Sequence, residues 1–344
     1  MIGRATRVFL SAMHRRAAPG GTGSVRSGRL TGAGLFHRLD SFAKRTVAQA
    51  PTGGYAGLRF PPQEAELMKV VSISKSHGGI QGVYSHASEV CACDMTFAVF
   101  VPPQAKDGRL PVLWYLSGLT CTHANVMDKG EYRRMACELG LVVVCPDTSP
   151  RGPDVPDEKD NWQFGCGAGF YLDATQEPYA KNYRMYSYIA EELPALVAAN
   201  FPVDMSRQAI FGHSMGGHGA LTIALKNPER YRSCSAFAPI VQPSTAGWSR
   251  PAFEKYLGSD ERNWRAYDAT LLIEDGKRYP EFLVDQGTAD GFLQDGLRPW
   301  LLEESCKKAG IDLTLRMQEG YDHSYNFIST FMDDHLKWHA RRLG

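Results

Sequence analysis

The stretch "AIFGHSMGGHGALTIAL" runs from Ala209 to Leu225, and within it an apolar run stops at Gly212. Ser214 follows two residues on, Gly216 two residues after that, and a small-residue helical pattern begins. A serine between glycines can be a plain turn. Here the glycines stand where a strand gives way to a helix. A turn that sharp leaves no room for side chains two residues before and two after the serine. Gly212-His213-Ser214-Met215-Gly216 therefore reads as a G-x-S-x-G nucleophile elbow, which holds the Ser214 hydroxyl out for chemistry.

Outward from the elbow, strand-like and helix-like segments alternate. Upstream lie "MTFAVFVPP", β-rich and closed by prolines, and "LPVLWYLSG", a continuous apolar run suited to a buried parallel strand. The helical "EYRRMACELG" ends at Gly140 and precedes the strand "LVVVCPD"; "SYIAEELPALVAANFP" has helical spacing despite Pro194. Downstream come a helix from Met215 to about Lys226 and the strand "SCSAFAP". The strands "YPEFLVDQG" and "IDLTLRMQEG" follow, separated by the helical "LRPWLLEESCKKAG", and the helix "NFISTFMDDHLKWHARRL" closes the chain. From Val70 onward this alternation predicts one α/β domain, a mostly parallel sheet covered by helices on both faces. Ligands on such sheets bind at the C-terminal ends of the strands, and every candidate below falls at such an end.

A serine hydroxyl needs a base to take its proton, and the base needs an orienting acid. On an elbow of this kind the partners follow in the order Ser, acid, His. His213 is too close along the backbone to face Ser214 across a site, and His218 lies one turn into the helix. His335 and His339, in the last helix, suit surface or packing roles. His323 remains, in "QEGYDHSYNF", a loop after a strand. For the acid, "FLVDQGTADGFLQDG" offers Asp285, still within the strand, Asp290 in the loop beyond it, and Asp295 farther on. Position favours Asp290. An oxyanion hole takes the backbone N–H after the serine, Met215, and one from an earlier strand–helix loop. "YLSGLTCTHAN" points there to Leu119.

The bulk composition narrows the class. The net charge of +1 hides an asymmetry: residues 1–60 carry ten Lys/Arg against the single acid Asp40, a balance of +9, while residues 61–344 balance at −8. The mildly acidic folded part argues against nucleic acid as its partner. No apolar run approaches the ~18–20 residues that span a bilayer. The basic, acid-poor start, rich in Arg, Ser, Ala and Gly, suits an organelle transit peptide, mitochondrial before plastid. Residues 1–66 are thus expected to lie outside the fold, and 67–344 to form the catalytic domain. The eight cysteines form no CxxC pair, which favours free thiols and leaves no metal site. Cys91 and Cys93 read as one face of a strand.

Taken together, "YLSGLTCT", "PDTSPRG", "GAGFYLDAT", "NYRMYSYIAEELP", "IFGHSMGGHGAL", "SAFAPI" and "QEGYDHSY" resemble the S-formylglutathione hydrolase (esterase D) family, collinearly from about Val70 to the C-terminus. The resemblance implies a single-domain α/β-hydrolase fold, commonly a homodimer in the cytoplasm. It implies cleavage of S-formylglutathione to glutathione and formate in formaldehyde detoxification, without a cofactor. Carried over by position, it makes Ser214 the nucleophile, Asp290 the acid and His323 the base, with Leu119 and Met215 as oxyanion donors. It puts Cys121 near the site and "NWQFGCGAGFY", with Trp162, along the pocket; His213 is counted with these pocket residues. The chain departs from the family pattern in "CTHANV" and at Ala289, positions that touch substrate fit and the surroundings of Asp290. Residues 1–66 have no counterpart in the family.

Overall fold

The computed structural model describes residues 68–344. The expected N-terminal extension and its targeting signal lie outside the described residues.

Nine strands form one sheet in the order β1-β2-β3-β5-β4-β6-β7-β8-β9. They are β1 (Lys69–Ser76), β2 (Gly79–Ser88), β3 (Cys93–Val101), β4 (Leu110–Leu116), β5 (Val142–Pro146), β6 (Val203–His213), β7 (Tyr231–Phe237), β8 (Glu281–Gly287) and β9 (Asp312–Gln318). The pairings from β5 through β4 and β6 to β9 are parallel. The three that join β1, β2, β3 and β5 are antiparallel. The helices are α1 (His123–Lys129), α2 (Tyr132–Leu139), α3 (Leu193–Asn200), α4 (Met215–Lys226), α5 (Arg250–Leu257), α6 (Ala269–Glu274), α7 (Pro299–Ala309) and α8 (Tyr325–Leu343).

Strand alternation shows that both faces of the sheet are covered. On β7, Ser233 and Ser235 hydrogen-bond His339 and His335 of α8, and Phe237 stacks on His335. The intervening Ala236 meets Gly217 of α4. Neighbouring strand residues point to opposite faces, so α8 and α4 sandwich the sheet. Central β4 and β5 are buried along almost their whole length, as their unbroken apolar runs require.

The structure adds elements that the pattern does not announce. β1 is exposed on both faces and so has no buried stripe to imprint an alternation, while β2 buries Gln81, His86 and Ser88 among its apolar residues. The short helices α1 and α6 also carry too few turns for a periodic signature. Helical turns at Met185–Ser187 lead through a π turn at Tyr188–Glu192 into α3, and that wider turn admits Pro194, which has no amide hydrogen. One expectation fails: Cys91 does not share a strand face with Cys93. It lies buried in the turn before β3, where Ala92 takes a left-handed φ of 49° and redirects the chain.

Candidate active site

Ser214 sits between the end of β6 and the start of α4 with φ 58° and ψ −117°, a conformation that costs a non-glycine residue energy and is held by its surroundings. Its N–H donates to Phe237 O at 2.9 Å, and its carbonyl accepts from His218 N at 3.0 Å and Ile240 N at 3.2 Å. The two glycines are there for space. A β-carbon on Gly216 would come within 1.9 Å of Leu116 O, and one on Gly212 within 2.3 Å of Gly216 O. The elbow is thus wedged directly against the end of β4.

His323, in the loop after β9, places Nδ1 2.6 Å from Asp290 Oδ2. The Asp290 side chain is fully buried, and it also accepts from Gln286 Nε2 at 3.1 Å and from the Phe292 amide at 2.8 Å. Those donors hold a carboxylate in place, and a carboxylate accepts a hydrogen bond from Nδ1–H, the tautomer that leaves Nε2 free to accept. Asp285 points elsewhere: Arg316 reaches both its oxygens, at 2.6 and 2.5 Å, and His335 Nε2 lies at 3.2 Å. Burial raises the Asp285 pKa, but the hydrogen bonds and charges of His335 and Arg316 outweigh it, and the net shift is downward. Asp295 lies in the turn Leu293–Leu297. His218 is buried against Phe170 O at 2.9 Å, and burial pushes its pKa down to about 4.

Ser214, His323, Leu119, Cys121, Trp162 and His213 all line one cavity of about 230 Å³, together with Gly118, Thr120, Trp248 and Phe292. Among the described residues, the backbone N–H groups of Leu119 and Met215 donate to no backbone acceptor outside regular structure. The turn bearing Leu119 is shaped by Thr120, whose φ is 64° and whose N–H donates to Gly167 O at 2.9 Å. Burial raises the Cys121 thiol pKa, which keeps the sulfur protonated at neutral pH.

Sequence reasoning did not reach Trp248 and Phe292. Trp162, Trp248 and Phe292 form a run of aromatic contacts, at 5.8 and 6.0 Å between centroids, that ends on the His323 ring at 5.0 Å. Phe292 had a signal, two residues after Asp290 in the same loop. Trp248 had none, since its segment carries no motif.

Among the described residues, no helix is long and apolar enough to cross a membrane. The chain matches the esterase family model described as "Putative esterase" over residues 88–338. It is 53% identical over 279 residues to the S-formylglutathione hydrolase of Mus musculus, covering 80% of this chain and 99% of the mouse protein. To the S-formylglutathione hydrolase of Paracoccus denitrificans it is 53% identical over 277 residues, covering 80% and 98%. A solved S-formylglutathione hydrolase from Agrobacterium tumefaciens is 71% identical with a TM-score of 0.80, covering 80% of this chain and 100% of the other. The sheet and its two helical layers are those of the α/β-hydrolase fold.

Proposed function

Because this chain belongs to the S-formylglutathione hydrolase family of esterases, it hydrolyses S-formylglutathione to glutathione and formate, and we propose that Ser214 carries the formyl group between the two. His323 takes the Ser214 proton as the hydroxyl attacks the formyl carbon. Asp290 holds the ring in the required tautomer and stabilises the imidazolium. The Leu119 and Met215 N–H groups hold the tetrahedral oxyanion, each donor worth about 2.7–4 kcal/mol in such sites. Collapse breaks the C–S bond, the thiolate leaves as glutathione with the proton from His323, and a formyl ester remains on Ser214. Water then attacks that ester with His323 again as base, releasing formate and restoring the hydroxyl.

The observation that carries this reading is the 2.6 Å contact of Asp290 with His323, whose ring lines the same cavity as Ser214. Turnover of S-formylglutathione against simple aryl acetates, by wild type and Ser214→Ala, tests it. Activity surviving in Ser214→Ala overturns the assignment, and a preference for the aryl esters makes the thioester a secondary substrate.

We also propose that residues 1–66 lie outside the catalytic domain and carry an organelle address, on the strength of their +9 balance over residues 1–60. Without that address the enzyme stays in the cytoplasm, and a reporter fused to residues 1–60 distinguishes the two. A homodimer is the expected assembly, tested by sedimentation.

A further inference from the structure

His213 has no part in the chemistry above, yet it touches both halves of the machinery. It is the last residue of β6 and directly precedes Ser214, so the packing that fixes the elbow fixes its backbone as well. On one side, Nδ1 lies close to Gly118, where an added β-carbon would sit 3.1 Å away. Gly118 leads into the turn that presents the Leu119 N–H. On the other side, the His213 ring centroid is 4.4 Å from that of His323, the planes tilted by 45°. Asp290 holds the His323 ring by its Nδ1 edge. The His213 and Phe292 rings pack against it and limit any tilt about that contact.

The spacer must be thin and uncharged. The imidazole lies against the turn, since a β-carbon on Gly118 would come within 3.1 Å of its Nδ1, and its other neighbour is the His323 ring. Neither of its nitrogens makes a well-formed hydrogen bond among the described residues, and the polar influence on the ring comes from the backbone of His323. Burial drives its pKa well down, and the charge of His323 acts in the same direction. The titratable groups facing it are His323 and, from α8, Tyr325, at 6.2 Å between centroids. A neutral ring suits a neighbour that becomes an imidazolium in the tetrahedral state, since a second cation there would oppose it.

We propose that His213 is a positioning residue, a neutral spacer that sets the separation between the oxyanion turn and the general base. The proposal rests on the assignment of Ser214 and His323 made above. For S-formylglutathione, His213→Ala lowers kcat about tenfold or more with KM within about twofold, because loosened geometry costs rate and not binding. Covalent labelling of Ser214 by a fluorophosphonate slows in the same ratio. His213→Gln, neutral and nearer in volume, stays within about fivefold of wild type. A kcat for His213→Ala within about twofold of wild type, or a loss confined to KM, overturns the proposal. If His213→Ala does not fold, His213→Gln decides, and a larger loss at an unchanged melting temperature overturns it. Ser214→Ala, run in parallel, abolishes turnover and labelling; if it does not, the triad assignment fails rather than the spacer.

Discussion

Asp290 Oδ2 lies 2.6 Å from His323 Nδ1, whereas Asp285, five residues earlier and still within β8, is bound at both oxygens by Arg316. Two carboxylates on one strand and its loop thus have separate partners. Asp290→Asn lowers kcat by about 10⁴-fold at an unchanged melting temperature, because the amide favours the wrong tautomer of His323. Asp285→Asn does the reverse. It leaves kcat per folded molecule near wild type but costs stability, toward the lower end of the ~3–5 kcal/mol for a broken buried pair, since Arg316 is partly exposed. Crippled turnover in a stable Asp285→Asn variant would exchange the two roles.

Stability falls as the solution is acidified. His213, His218, His335 and His339 are buried, and burial lowers the pKa of each. Below the unfolded value of about 6.5, the unfolded chain binds protons that the folded chain refuses, so each histidine removes up to about 1.4 kcal/mol per pH unit. The loss continues until the folded groups titrate, which for His218 is near about 4. Urea unfolding at pH about 7.5 and about 5 checks this; equal free energies at the two values contradict it.

The elbow glycines tolerate no β-carbon. Gly216→Ala sets a methyl 1.9 Å from Leu116 O and 2.6 Å from Ser117 O, both backbone atoms that cannot swing away. The variant loses turnover and at least about 3 kcal/mol of stability, the upper part of the usual overpacking range. Gly108→Ala, with nothing within 4 Å of the added carbon, is the matched control and remains as stable as wild type.

Cys121 lines the cavity without a chemical task, and its raised pKa leaves little thiolate at neutral pH. A bulky maleimide therefore inactivates the enzyme slowly near neutrality and faster as pH rises, by filling the cavity. Cys121→Ser keeps kcat within about threefold and resists the reagent. Equal sensitivity of the two proteins places the damaging reaction at another thiol.

Deletion of residues 1–66 leaves kcat and melting temperature unchanged if the proposed boundary of the catalytic domain holds. A deleted protein that cannot fold moves the domain boundary toward the N-terminus.

The sequence by itself determined what is local. Gly212 and Gly216 around Ser214 mark a backbone turn, the alternation of apolar runs marks a parallel sheet, and the order of Ser214, Asp290 and His323 follows the strand ends. Only the tertiary structure decided what depends on distance across the chain. Position already favours Asp290, but the partner of Asp285 turns on the register of β8 and β9, which sets Arg316 opposite it. Trp248 reaches the cavity from a segment without a motif. The two contacts of His213 arise because β4 and β9 deliver their loops to either side of one β6 residue. Periodicity records which way a side chain faces within its own element, and contacts between elements leave no such trace in the chain.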